Sequence, residues 1–163
     1  MKATKQQVLG LIAITAAGAL AGCSTVSGWT SGWTHREEPR TSTSAMSGFI
    51  QSVMLTGANE VPPVQTSASG AGIVTVNADH TVAAKITVTG VAATAAHIHM
   101  GAAGANGPVI VPFTKTADNV FEAPPGSTMT EEQYAAFKAG NTYVNVHSDA
   151  NKGGEIRAQL KGG

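Results

Sequence analysis

From Gly48 onward, apolar and polar side chains alternate every second residue, in short runs closed by glycine, proline, asparagine or aspartate. Such runs fit half-buried strands, whose successive side chains point to opposite faces, and they are too short for amphipathic helices. Residues 49–55, 72–76, 81–88, 96–100, 109–113, 143–147 and 155–160 read this way. Asn77, Ala78, Asp79 and His80 have the chemistry of a hairpin tip, which would leave His80 exposed to solvent. Pro62 and Pro63 keep residues 57–63 out of a ladder. In the loop 101–107, Asn106 and Gly107 are the natural donors of positive φ for a tight turn. The glycines of that loop do not read as a phosphate cradle, because no Gly-Lys-Ser/Thr follows and no helix begins there. One helix is expected, with Thr130 as N-cap, Gln133 closing a capping box, Glu131 and Glu132 in its first turn, and Gly140 as its stop. Tyr134 and Phe137 share the face that packs. The pattern predicts an all-β fold, an antiparallel β-sandwich or flattened barrel with one short helix.

The first part of the chain reads differently. Lys2 and Lys5 precede an apolar run, residues 8–20, which is shorter than a membrane span and has the length of the core of an export signal. Leu20-Ala21-Gly22-Cys23 resembles the lipobox of bacterial lipoproteins. The resemblance implies a signal peptide over 1–22, cleavage before Cys23, diacylglycerol on its sulfur and palmitate on the new amino group. The implied location is the bacterial cell envelope, lipid-anchored to the membrane. In a Gram-negative cell Ser24 fits outer-membrane sorting, facing the periplasm or the cell surface. Residues 23–47 read as a tether, rich in serine, threonine and glycine and without apolar periodicity. Trp29 and Trp33 stand in it either as exposed aromatics or as interfacial contacts beside the lipid. Cys23 is the only cysteine, so the domain over 48–161 must hold together without a disulfide. With 10 basic and 10 acidic residues there is no surplus charge to attract nucleic acid.

Histidines carry the chemistry. His97 and His99 leave one face of their strand, roughly 6–7 Å apart, and two imidazoles at that spacing can converge on an ion about 2 Å from each nitrogen. His147 lies opposite Val144 and Val146 on a second alternating segment, so pairing of the two strands would bring three imidazoles to one spot. Nitrogen donors alone suit copper or zinc rather than calcium or magnesium, with copper the first choice and zinc the alternative. The bland alternative is three histidines that hydrogen-bond at a sheet end. Met100 alternates away from the site, and His35 and His80 fall in the tether and a turn. Proton competition for free imidazoles would centre near pH ~6.5. Asn145, Ser148 and Asp149 flank His147 and can orient an imidazole from behind. Glu60 and Arg157 can form an ion pair or bind loop carbonyls, or Arg157 can hold an anion near the metal.

Leu55-Thr56-Gly57-Ala58-Asn59-Glu60-Val61-Pro62-Pro63-Val64 resembles the opening of a CHRD domain, the module first named from chordin. Ala96-His97-Ile98-His99-Met100-Gly101, with Gly104, Asn106, Gly107 and Pro108, resembles its central signature. Tyr143-Val144-Asn145-Val146-His147-Ser148 and Gly154-Glu155-Ile156-Arg157-Ala158-Gln159-Leu160 resemble its end, with Ala158 where the family usually has glycine. The blocks occur in order over about 47–160, and the resemblance implies an immunoglobulin-like or superoxide-dismutase-like fold. A His-x-His strand plus a distant histidine also resembles the copper half of copper-zinc superoxide dismutases. Their bridging histidine and zinc-ligand pattern are not recognisable here, so the likeness leaves dismutase-like redox activity open but unsupported. Two functions follow as expectations. One is a lipid-anchored, metal-binding domain; the other is a non-enzymatic module that recognises a protein or polysaccharide at the envelope.

Overall fold

The computed structural model describes residues 48–163. The export signal, Cys23 and the tether with Trp29, Trp33 and His35 lie outside the described residues. Nine strands and one helix follow in chain order: β1 Gly48–Thr56, β2 Ser69–Asn77, β3 Val82–Thr89, β4 Ala93–Met100, β5 Val109–Pro112, β6 Thr114–Ala117, β7 Val120–Glu122, α1 Glu131–Lys138, β8 Thr142–Ser148 and β9 Ile156–Leu160. They form one sheet in the order β5-β4-β8-β9-β1-β2-β3-β7-β6, with every described pairing antiparallel. The two ends of that order, β5 and β6, are consecutive in the chain and separated only by Phe113. The chain therefore turns the corner from one end of the sheet to the other. Lys115 Nζ donates to the Ala93 carbonyl and Phe113 N–H to the Ala96 carbonyl, closing the sheet into a flattened barrel.

Leu55, Val74, Val76, Ile86, Ile98, Phe121, Val144, Val146, Ile156 and Leu160 fill its interior and are essentially inaccessible. Each comes from the alternating positions of its strand, which is how a period of two turns a polar sequence into an apolar core. The helix closes one end. Thr130 Oγ1 accepts the Gln133 N–H and Gln133 Oε1 accepts the Thr130 N–H, so the expected capping box is complete. Tyr134 and Phe137 are buried, and Gly140 has the φ of +74° that ends the helix.

Two local expectations are corrected, and two strands are added. His80 is half-buried at φ +68°, its ring stacked on Tyr134 at 4.2 Å and its Nε2 3.5 Å from Glu131, so it docks the hairpin on α1. Positive φ in the 101–107 loop falls at Gly104, not at Asn106-Gly107. Gly107 is needed for space, because a Cβ there would collide with the Met100 carbonyl. Strands β6 and β7 were not legible, since the four residues of β6 are all exposed and β7 buries only Phe121.

The two sides of the barrel differ in what covers them. Outer positions of β1, β2 and β3 face solvent, including Ile50, Met54 and Ile73. On β4, β8 and β9 the outer positions are themselves largely buried. The segments 57–68 and 101–108 lie over them. Asn59 Nδ2 donates to the Arg157 carbonyl, Asn106 Nδ2 to the Val61 carbonyl and Gln159 Nε2 to the Gly101 carbonyl, while Thr66 Oγ1 donates to Glu155.

Candidate metal centre

The covered outer face holds the histidines. In the β4–β8 register His97 lies opposite Asn145, His99 opposite Tyr143, and Ala95 opposite His147. The pairing expected from the alternation thus places His147 diagonally across from His97, on the same face. A bulge between Ile98 and His99 against β5 interrupts that edge beside the site, where such irregularities re-aim side chains. One nitrogen of each of His97, His99 and His147 lies within 4.8 Å of the other two. His97 Nδ1 is 3.0 Å from His147 Nε2.

Two loop carbonyls decide which nitrogens face inward. His99 Nδ1 is 2.9 Å from the Gly107 carbonyl and His147 Nδ1 is 2.9 Å from the Lys152 carbonyl. A carbonyl only accepts, so both Nδ1 atoms carry hydrogen and both Nε2 atoms keep lone pairs. His97 Nδ1–H then donates to His147 Nε2. Moving that hydrogen to His97 Nε2 leaves a lone pair on one nitrogen of each ring, within the 4.8 Å cluster. His99 Nε2 is buried and has no hydrogen-bond partner among the described residues.

The surroundings keep these rings neutral. Burial, reinforced by the neighbouring His147 and His99, pushes the His97 imidazole down to about 4. Burial also lowers His99 and His147, against the opposing pull of the Gly107 and Lys152 carbonyls. A neutral imidazole is the form that ligates a metal.

Behind the histidines stands a stack. Tyr143 lies parallel to His99 with centroids 4.8 Å apart, and the Arg157 guanidinium sits 3.4 Å from the Tyr143 centroid. Gly107 N–H donates to Tyr143 Oη at 3.2 Å, tying the stack to the loop that orients His99. Arg157 donates to the Ala102 and Ala105 carbonyls, Asn106 Oδ1 and Gln159 Oε1. Of the alternatives raised for Arg157, the loop carbonyls are the ones it binds. No ion pair joins it to Glu60 within 4.0 Å among the described residues. Asn145 is buried and adjoins both Glu60 and His99. Asp149 is exposed, and the partner of His147 Nδ1 is the Lys152 carbonyl in its place. Ser148 Oγ donates to Glu155 Oε2 at 2.7 Å.

Tyr143 and the two carbonyls are contributions that sequence reasoning did not assign. The parity of β8, which puts Tyr143, Asn145 and His147 on one face, was sufficient to place Tyr143. Nothing in a side-chain pattern marks a loop carbonyl.

A family model described as the CHRD domain matches residues 51–160, more than half of the chain. The chain belongs to the CHRD domain family. Neither the curated proteins nor the solved structures provide a match to it. Within this CHRD domain, the matched span contains all three histidines, Tyr143, Asn145 and Arg157 as well as Glu60.

Proposed function

We propose that this CHRD domain binds one metal ion, copper in the first place and zinc as the alternative, through His97, His99 and His147. The observation that carries the reading is the convergence of three imidazole nitrogens within 4.8 Å, with the hydrogen of two of them held outward by carbonyls. Three neutral nitrogens without thiolate or carboxylate favour copper or zinc over calcium or magnesium. The 3.0 Å between His97 Nδ1 and His147 Nε2 is a hydrogen bond between two neutral rings, and it brings two donor nitrogens close enough to share one ion. Bound there, the metal would supply a Lewis-acidic or redox-active centre; the chain supplies the ligands, their orientation and partial exclusion of water.

The lipobox-like Leu20-Ala21-Gly22-Cys23 supports placement at the bacterial cell envelope, on a lipid carried by Cys23. The second reading, a module that recognises a protein or polysaccharide, is supported by the exposed apolar side chains Ile50, Met54 and Ile73.

Titration with Cu(II), followed by calorimetry and by nitrogen couplings in spin-resonance spectra, tests the site. One ion per chain is expected, and His97→Ala, His99→Ala and His147→Ala should each weaken binding at least tenfold while His80→Ala does not. Because the imidazoles are depressed, binding should persist below the pH of ~6.5 at which free imidazole competes. Copper bound equally well by the triple variant, or no copper bound at all, would end this reading and leave the recognition module. Cys23→Ala tests the anchor separately, since it should abolish lipidation and membrane partitioning.

A further inference from the structure

A second feature lies beside the histidines and does not depend on them. Glu60 is 4% exposed, and its Oε1 has no hydrogen-bond partner among the described residues. It lines a cavity of about 310 Å3 together with Val61, Pro62, Val64, Asn106, Asn151, Gly153 and Gly154. The chain makes room for that carboxylate at a cost in side chains. Gly154 has φ +146°, and a Cβ on it would overlap the Glu60 carboxyl group. The walls are already braced. Asn106 holds the Val61 carbonyl and the Arg157 guanidinium, and Asn151 Nδ2 donates to Glu155 Oε2. Arg157, whose field reaches Glu60, is spent on its four acceptors and lies outside ion-pair distance. A buried carboxylate without an ion-pair partner is costly, and such groups are ordinarily paired.

We propose that this cavity receives an alkylammonium group, whose charge pairs with Glu60 and whose methylenes lie against Val61, Pro62 and Val64. The chemistry of the walls selects among cations. Calcium takes about six to eight oxygens, whereas the lining offers one carboxylate and two asparagines that are already engaged with Val61, Arg157 and Glu155. Copper and zinc prefer the imidazoles next door. A single ammonium on a short alkyl chain matches both the one negative charge and the apolar surface. The volume sits near the lower end of ligand pockets, about 300–1,000 Å3, which suits a small amine or a lysine side chain rather than a larger ligand. Burial holds the Glu60 carboxyl above the usual carboxylate range, against the opposing field of Arg157. An incoming cation would reverse that.

The test uses the full chain with a chelator present, so that its outcome is separate from that of the histidine site. Butylammonium, 1-butanol and N-acetyl-lysine amide are titrated while amide resonances of Val61, Asn106, Gly153 and Gly154 are followed. Saturable shifts with butylammonium, and at least tenfold weaker shifts with 1-butanol, are the expected result. Glu60→Gln should lower butylammonium affinity at least tenfold; the alcohol control stands even if that variant folds poorly. Tighter binding of the blocked lysine would assign the site to a protein side chain, and tighter binding of butylammonium to a free amine; either supports the proposal. Equal binding of alcohol and amine, or no saturable shift with either amine, would overturn it.

Discussion

Strands β1, β2 and β3 present one face to the core and the other to solvent, whereas β4, β8 and β9 are covered on both. The first group reads as plain alternation, buried and exposed in turn. In the second the outer positions hold His97, His99, Tyr143, Asn145, His147, Arg157 and Gln159, and loops close over them. The difference shows what a second cover does to polar side chains. On the open face a polar group is solvated and its partners are interchangeable. Under the loops it must find a fixed partner, and the same desolvation that makes this compulsory lowers the imidazoles and fixes their hydrogens.

The largest test of that contrast is Arg157→Ala. It would strand the Ala102 and Ala105 carbonyls, unstack Tyr143 and leave Glu60 without the field of that guanidinium. An unsatisfied buried polar group costs about 1–3 kcal/mol, so with two carbonyls stranded denaturant unfolding should show a loss of about 2–6 kcal/mol. Next comes Val144→Ala, at the inner face of the same strands, for which about 1–3 kcal/mol is expected from lost burial and the resulting cavity. An Arg157 variant less damaging than the Val144 variant would mean that the outer layer is not a second core.

Acid provides an intermediate effect. The folded histidines sit below their ordinary values, so between pH ~6.5 and about 4 the unfolded chain binds protons that the native state refuses. Stability of the chelated domain should therefore fall as pH drops through that window. Glu60, raised by burial, works in the opposite direction, because its native carboxyl takes up a proton at higher pH than the unfolded one. Three histidines against one carboxyl should leave a net fall in melting temperature, smaller in His97→Gln. A melting temperature unchanged between pH 7 and 4.5 would show that the imidazoles are not desolvated as described. The smallest effects belong to the open face. Met54→Ser and Ile73→Thr should change stability by no more than about 0.5 kcal/mol, and a larger loss would reveal a cover on that face too.

Legibility in the sequence follows the same division. The inner faces were readable because Val74, Val76, Ile86, Ile98, Val144 and Val146 recur every second residue, and the helix because Thr130, Gln133 and Gly140 mark its ends. Strand parity put His97 and His99 on one face, but only the pairing of β4 with β8 brings His147 to them. Which nitrogen of each ring faces its neighbours could not be read, since that is set by the carbonyls of Gly107 and Lys152, and a backbone group has no letter in the sequence. His80 misled because turn chemistry describes the backbone at the tip and says nothing of a tyrosine that arrives more than fifty residues later. Asp149 misled for a related reason, as nearness along the chain is a poor guide once a loop bends away.

The position of β9 has a consequence for how the protein is made. It is the last strand in the chain yet lies between β8 and β1, pairing Arg157 with Thr56. β1 therefore leaves the ribosome about a hundred residues before its neighbour exists. At ~5–20 residues per second, that edge stands open for about 5–20 s. Through this interval Phe49, Val53 and Leu55 belong to a strand that can pair on only one side, a period during which nascent chains are vulnerable to joining one another. The remedy is built into the order of synthesis, because β2 and β3 follow β1 at once and give it a partner long before the barrel can close.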